Sequence, residues 1–244
     1  MSLIDPVKLS YEGADLEAMS DASNYYDWLL SEMLPYVGKN IVEVGSGSGS
    51  FSKKLLLAKI PAITFVEPAK NLYKHLTTTV QKNKSKNQQT QIINAFMQDA
   101  QKQLAKIAPD TFIYINVFEH IEDDLKEVKT LYKLLPKGGH LIIFVPAINL
   151  LMSDFDRGVG HFRRYTKRSL TDLVTKADFK VVKLKYMDMA GILPWIVNFK
   201  LLKTKKLKPG AVKTYDSYAV PVIKALETRI EPPIGKNVLL IAEK

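Results

Sequence analysis

The chain has 244 residues, 46% of them apolar, which is enough to bury one large core and excludes global disorder. It contains no cysteine, so disulfides, zinc–thiolate sites and cysteine nucleophiles are excluded. Thirty-five lysines and arginines against 25 acidic residues give a net charge of +10, which suits an anionic partner such as an acidic lipid surface, a phosphorylated substrate or nucleic acid, or else a solvated lysine-rich surface.

Residues 1–20 read as irregular, with no apolar run that would make a signal peptide. No stretch of about 20 apolar residues exists to span a membrane, so the expectation is a cytoplasmic protein. Ser20-Asp21 is placed to cap a helix over about Ala22 to Leu34, stopped by Pro35. Asn40 to Val44 reads as the first strand. It runs into the glycines Gly45, Gly47 and Gly49 and then a helix with Phe51, Leu55 and Leu56 at helical spacing. A second strand, Ala62 to Glu67, ends in a carboxylate and precedes Pro68 and a helix to about Val80. Thr90 to Phe96 is a third strand and Gln98 to Ala108 a helix. The fourth strand, Thr111 to Val117, is nearly continuous in β-favouring residues, as a buried parallel strand should be. A helix from Glu122 to Leu135 carries acids in its first turn and Lys133 in its last. His140 to Val145 is a fifth strand, closed by Pro146. A loop rich in Asp, Gly, His and Arg spans 147–165, and a helix follows over about Lys167 to Lys176. Phe179 to Met189 reads as a sixth strand and Asn237 to Glu243 as a seventh, separated by the proline-punctuated stretch 190–236.

Strands alternating with helices imply a Rossmann-like, doubly wound sheet, with ligand at the carboxyl ends of the strands. Gly45, Glu67, Asn116 and Pro146 all fall at such ends. A strand feeding a glycine turn and a helix N-terminus outlines a nucleotide site, because close backbone and free N–H groups attract acceptors. The dinucleotide fingerprint G-x-G-x-x-G needs a glycine where Ser50 stands, so a nicotinamide-dependent oxidoreductase is the weaker reading.

Val42-Glu43-Val44-Gly45-Ser46-Gly47-Ser48-Gly49 instead resembles motif I of the class I S-adenosylmethionine-dependent methyltransferases. Phe65-Val66-Glu67-Pro68 is similar to that family's acidic end of strand two. Asn116-Val117-Phe118-Glu119-His120-Ile121-Glu122-Asp123 is similar to its segment V-L-E-H-I-x-D after strand four. The resemblance covers residues 22–189 and the last strand. It implies a seven-stranded α/β sheet, mostly parallel with the last strand antiparallel, and S-adenosyl-L-methionine as cofactor with S-adenosyl-L-homocysteine as product. It implies that Glu43, Gly45, Ser46, Gly47 and Gly49 face the methionine end of the cofactor, that Glu67 and Pro68 hold its ribose, that Phe96 and Met97 lie beside adenine and that Asn116 and Val117 flank the methionine. Asp99 is a candidate for the adenine amino group or a charge at a helix start.

Two histidines are candidate general bases. His120 follows strand four. His161 belongs to Gly160-His161-Phe162-Arg163-Arg164-Tyr165-Thr166, which resembles a G-H-x-R-R-Y-(T/S) element of a bacterial methyltransferase subgroup. Arg163, Arg164 and Tyr165 of that element are candidate contacts to an anionic substrate; arginine pairs suit phosphate or carboxylate, or they neutralise Asp154 and Asp156. Relatives in ubiquinone and small-RNA methylation bind a divalent ion through E-x-x-E-H. Here Asn116 replaces the first glutamate, so no metal is expected.

The expected organisation is one methyltransferase domain over 1–244, with an N-terminal helical cap at 1–39 and a helical lid at 190–236 between strands six and seven. Trp195 and Phe199 beside Lys203, Lys205, Lys206 and Lys208 also suit peripheral contact with an anionic membrane. The expected reaction is O-methylation of a small or lipid- or sugar-linked acceptor. Methylation of RNA or protein, and a non-catalytic cofactor-binding protein, are the alternatives, nucleic acid being disfavoured because the positive charge is dispersed.

Overall fold

Seven runs rich in β-branched and aromatic residues pair into one sheet in the computed structural model, which describes residues 19, 20 and 22–244. The strands are β1 (Asn40–Val44), β2 (Ala62–Val66), β3 (Gln89–Ile93), β4 (Thr111–Ile115), β5 (His140–Pro146), β6 (Lys180–Met187) and β7 (Asn237–Glu243). Their spatial order is β3-β2-β1-β4-β5-β7-β6. β7 runs antiparallel to both neighbours, and every pairing among β1 to β5 is parallel. The strand order reverses between β1 and β4, where the crevice at the carboxyl ends opens. This is the expected Rossmann-like sheet with an antiparallel last strand.

Because both faces of the inner strands are covered, they alternate between two apolar layers. On one face, Val42, Val44, Phe112, Tyr114 and Leu141 pack on α4 (Met97–Ile107), α5 (Asp124–Leu134) and α7 (Lys167–Thr175). On the other, Ile41, Ile63, Phe65 and Ile113 pack on α1 (Ser23–Met33), α2 (Ser50–Leu57) and α3 (Lys70–Asn83). Trp28 and Leu29 of α1 are fully buried in this second layer. A short helix α6 (Asp154–Gly158) follows β5.

Several boundaries differ from the sequence reading for identifiable reasons. Asp21 of the expected Ser20-Asp21 cap lies outside the described residues. The start of α1 is held instead by Asp216, whose carboxylate accepts from the N–H groups of Asn24 (3.0 Å) and Tyr25 (2.8 Å). β4 stops at Ile115 rather than Val117 because Asn116 turns left-handed, at φ 53°, a conformation asparagine tolerates. Asp123 caps α5 by accepting from the Lys126 N–H, so that helix starts at Asp124 and not at Glu122.

The segment between β6 and β7 is helical. α8 (Ile192–Trp195) continues as a π turn over Ile196–Leu201. α9 (Pro209–Thr214) passes through a second π turn at Tyr215–Ala219 into α10 (Val220–Glu227). The segment is anchored at its base by Glu227, which accepts from the N–H groups of Asp188 and Met189, and by the Tyr215 hydroxyl, which donates to Asp188.

Candidate active site

A cavity of about 580 Å³ opens at the carboxyl ends of β1, β2 and β4, within the range of small-ligand sites. Gly45, Ser46, Gly47, Glu67, Pro68, Phe96, Met97, Asn116 and Val117 line one end. Glu119, His120, Asp156, His161, Arg164 and Trp195 line the other, and Glu43 is also in the wall.

The first end is built almost entirely by backbone leaving the sheet. Gly45 sits at φ 70°, and a Cβ there would lie 2.4 Å from Val117 Cγ2, so the ends of β1 and β4 touch only because the residue is glycine. The Gly45 N–H donates to the Val66 carbonyl (2.8 Å), tying the turn to β2. Glu67 completes that tie: its Oε2 accepts from the Gly47 N–H (2.7 Å) and its Oε1 from the Ala69 N–H (2.8 Å). Burial raises the Glu67 pKa against those two bonds. Each carboxylate oxygen has a second acceptor site, so a vicinal diol in the cavity can still donate to Glu67. Glu43 lies deeper, where the Ser52 hydroxyl donates to it (2.5 Å). Burial pushes Glu43 up to about 8 despite the Ser52 and Ser46 hydroxyls, so it carries a proton at neutral pH.

Two expected cofactor contacts at this end lie off the cavity wall. Gly49 forms the α2 start, at φ 91°, where a Cβ would press on Thr79 of α3; it shapes the turn from behind. Asp99 sits in the first turn of α4, so the helix-charge role is the one it fills.

The second end is built by loops that meet from distant parts of the chain. Asp156 is fully buried and accepts from Ser153, from His161 Nδ1 (3.1 Å) and from Arg164 (2.8 Å). Burial alone would raise its pKa, but the His161 and Ser153 hydrogen bonds and the Arg164 charge outweigh this and hold it at about 2. An ionised Asp156 accepts from a proton on His161 Nδ1, and Nε2 then faces Glu119, 3.9 Å away. The His120 and His161 rings meet edge to face at 4.6 Å. Burial and the neighbouring His161 bring His120 down to about 4, so it is neutral at physiological pH. Glu119 is fully buried, and neither of its oxygens has a hydrogen-bond partner. Burial lifts it to about 7 against the pull of His161 and Arg164. A buried carboxylate without partners is costly in a folded protein unless a ligand or ion uses it.

Of the three residues expected to hold substrate, only Arg164 faces the cavity. Its guanidinium lies 4.5 Å from the Trp195 ring centroid and also donates to the Ala147 carbonyl. Arg163 instead pairs with Asp124 (2.6 Å) and donates to the Glu122 carbonyl, while the Tyr165 hydroxyl donates to the Phe118 carbonyl and Asp124. These contacts pin the loop after β5 to the loop after β4. Glu119, His120 and His161 place ligand atoms within 4.8 Å of one another, and they are the described residues that could hold a divalent ion. The expectation of no metal considered Asn116 in this role; His161, from another loop, is the third donor that only the fold brings in. The neutralising contact expected of the arginines is the one Arg164 makes with Asp156. Tyr25, Phe144, Lys236 and Asn237 also line the cavity; they come from three separate segments and share no local motif that would mark them in the chain.

A model of a methyltransferase domain matches residues 20–184. A search of curated proteins finds no significant match. Among solved structures, a SAM-dependent methyltransferase from Archaeoglobus fulgidus aligns with TM-score 0.56 and 15% identity, over 91% of this chain and 94% of that one. The putative methyltransferase solved with the Haloferax volcanii Trm112 activator aligns with TM-score 0.59 and 11% identity, over 95% and 94%. Haemonchus contortus phosphoethanolamine N-methyltransferase 2, in complex with S-adenosyl-L-methionine, aligns with TM-score 0.53 and 12% identity, over all of this chain and 60% of that one. At these identities the neighbours speak for the fold alone. The family match, spanning most of the chain and meeting a glycine turn and an acidic strand end in one crevice, makes this protein a member of the methyltransferase domain family, an S-adenosyl-L-methionine-dependent methyltransferase.

Proposed function

We propose that the protein methylates a hydroxyl oxygen on a small or lipid- or sugar-linked acceptor. The observation that carries this reading is the cluster of Glu119, His120 and His161 across one cavity from the glycine turn. The residues fit the cofactor: the Gly45–Gly47 backbone and Glu43 suit its methionine end beside Asn116 and Val117, Glu67 and Pro68 suit the ribose, and Phe96 and Met97 suit the adenine. When bound, S-adenosyl-L-methionine supplies a methyl group whose bond to sulfur breaks as the acceptor oxygen bonds to carbon, the electron pair staying on sulfur. This chain's part is to position, exclude water and remove one proton.

His161 is the base favoured here. Asp156 orients its ring and stabilises the imidazolium formed when Nε2 takes the hydroxyl proton, and Arg164 keeps Asp156 ionised. His120, neutral with a depressed pKa, is the weaker base and lines the methyl path. Membership of the bacterial subgroup with the G-H-x-R-R-Y element is part of the same proposal, with Arg163 and Tyr165 as loop tethers and Arg164 at the substrate. His161→Ala should lower turnover ~10²-fold or more with S-adenosylhomocysteine affinity intact. Equal losses for His120→Ala and His161→Ala would reject that assignment. Activity that vanishes with a chelator and returns with Mn²⁺ or Mg²⁺ would replace proton removal by metal activation of the acceptor at the same three residues. Labelled methyl transfer to lysate separated into lipid, glycan, RNA, protein and small-molecule pools names the acceptor, and label confined to RNA or protein would overturn the small-acceptor reading.

The 190–236 segment supports a lid that touches membrane. Leu193, Leu201, Leu202, Tyr218 and Leu226 are exposed on it, among Lys200, Lys203, Lys205 and Lys206. Apolar side chains interleaved with lysines suit the interface of an anionic bilayer. No helix of the described residues is long and apolar enough to cross a membrane. Binding to vesicles containing phosphatidylserine, weakened by salt and by lysine-to-glutamine changes at 203, 205 and 206, tests this contact.

A further inference from the structure

A second cavity, of about 240 Å³, lies under the helices between β6 and β7. Ala22, Pro194, Phe199, Val212 and Val220 form its apolar walls. Met19, Tyr25, Trp195, Leu207 and Lys236 line both this cavity and the larger one. All of the shared residues lie away from the glycine turn, and neither that turn nor the end of β2 reaches the second cavity. The two spaces therefore adjoin at the acceptor end, with the Tyr25 and Trp195 rings between them.

The polar groups around the second cavity are already committed. Lys236 pairs with Asp188 (2.6 Å), and the Tyr215 hydroxyl donates to the same carboxylate. The Asp216 carboxylate accepts from the start of α1, and the Asn198 amide donates to the Pro194 carbonyl. What remains on the walls is apolar surface, which selects a ligand by burial and not by hydrogen bonding. Exposed Lys206 and Lys208 stand at the rim. Both covering helices pass through π turns beside the cavity, at Ile196–Leu201 and Tyr215–Ala219, a rare geometry often found where a helix shapes a functional site.

We infer that the second cavity is a subsite for the apolar chain of the methyl acceptor. The acceptor is then an amphiphile: its hydroxyl-bearing head lies near His161, and its chain passes Tyr25 and Trp195 into the space beneath α8 and α9. This rests on the methyl-transfer reading above and narrows its substrate class to molecules that carry an alkyl or polyprenyl chain next to the reactive hydroxyl.

The test uses n-alkanols from hexanol to decanol, titrated into the protein with S-adenosylhomocysteine present and followed by calorimetry. Affinity should rise roughly fourfold per added methylene until the cavity is full. Val212→Phe, which narrows the second cavity without touching the larger one, should flatten the series and leave S-adenosylhomocysteine affinity unchanged. If that variant does not fold, Ala211→Phe on the same wall serves in its place. Affinity that does not depend on chain length overturns the inference. So does a series as steep in the filled variant as in the wild type, because the chain would then lie on the exposed outer face of the helices. Failure of S-adenosylhomocysteine to bind the wild type is a separate result: it strikes the methyl-transfer reading, while the alkanol series still reports on the cavity.

Discussion

The two ends of the cavity are made by different means. At the glycine-turn end, the wall is made by backbone N–H groups and the buried Glu43 and Glu67 side chains, held where three adjacent parallel strands stop. At the other end it is made by side chains from the loop after β4, the loop after β5, α1 and the segment before β7, with a buried charge network around Asp156, His161 and Arg164. The first construction is rigid because the sheet's hydrogen bonds hold it. The second depends on a few buried ionic contacts, so single substitutions there should unsettle both fold and chemistry. The contrast suits a domain that keeps one donor and varies its acceptor, since loops can change without disturbing strand ends.

Asp156→Asn should produce the largest effect. It leaves Arg164 buried beside a neutral amide, a change that typically costs ~3–5 kcal/mol, or roughly 6–20 °C in melting temperature for a chain of this size. Thermal denaturation should show that loss, while S-adenosylhomocysteine still adds its stabilising increment; loss of that increment would mean the two ends are not separable. Glu43 gives the next largest effect. Its folded pKa of about 8 stands above the usual carboxylate value. Its contribution to stability is therefore complete at low pH and is lost as pH rises from about 4.5 through 8, on the order of 4–5 kcal/mol in all. Melting curves of Glu43→Gln should cross from near-equal to wild type at pH 5 to clearly more stable at pH 8.5. A difference that does not change with pH would remove Glu43 from the buried-acid role.

Glu67→Ala should weaken S-adenosylhomocysteine by ~1–3 kcal/mol, since both backbone N–H groups and the ligand diol lose an acceptor. Unchanged affinity in a titration would take Glu67 out of the site. The smallest effect is expected from Arg163→Ala. Its pair with Asp124 is partly exposed, and such pairs contribute under ~1 kcal/mol. The Michaelis constant for the acceptor should stay the same, and a tenfold rise would return Arg163 to the substrate.

Much of the glycine-turn end was legible in the chain because its parts are local. Val42 to Gly49 is one strand and one turn, and Phe65 to Pro68 one strand end. The alternation of apolar runs with helical spacing also placed seven strands and helices α1 to α5 and α7 to within a few residues, whereas α6 falls in a stretch that reads as loop and the helices within 190–236 have no separate signal in the chain. What the chain's own neighbours do not decide has a physical pattern. The start of α1 is capped by Asp216, nearly two hundred residues away, so no neighbouring residue could reveal it. Arg163 and Arg164 are adjacent and identical in type, yet one faces Asp124 at the surface and the other is buried on Asp156 and Trp195. The sheet, the glycine turn and the carboxylates at the strand ends follow from the order of residues, because hydrophobic periodicity and backbone conformation act over short separations. That Glu119 is left without a hydrogen bond, that His161 sits against Asp156 and that an apolar cavity opens beside Trp195 follow from packing, because those depend on which distant surfaces the sheet brings together.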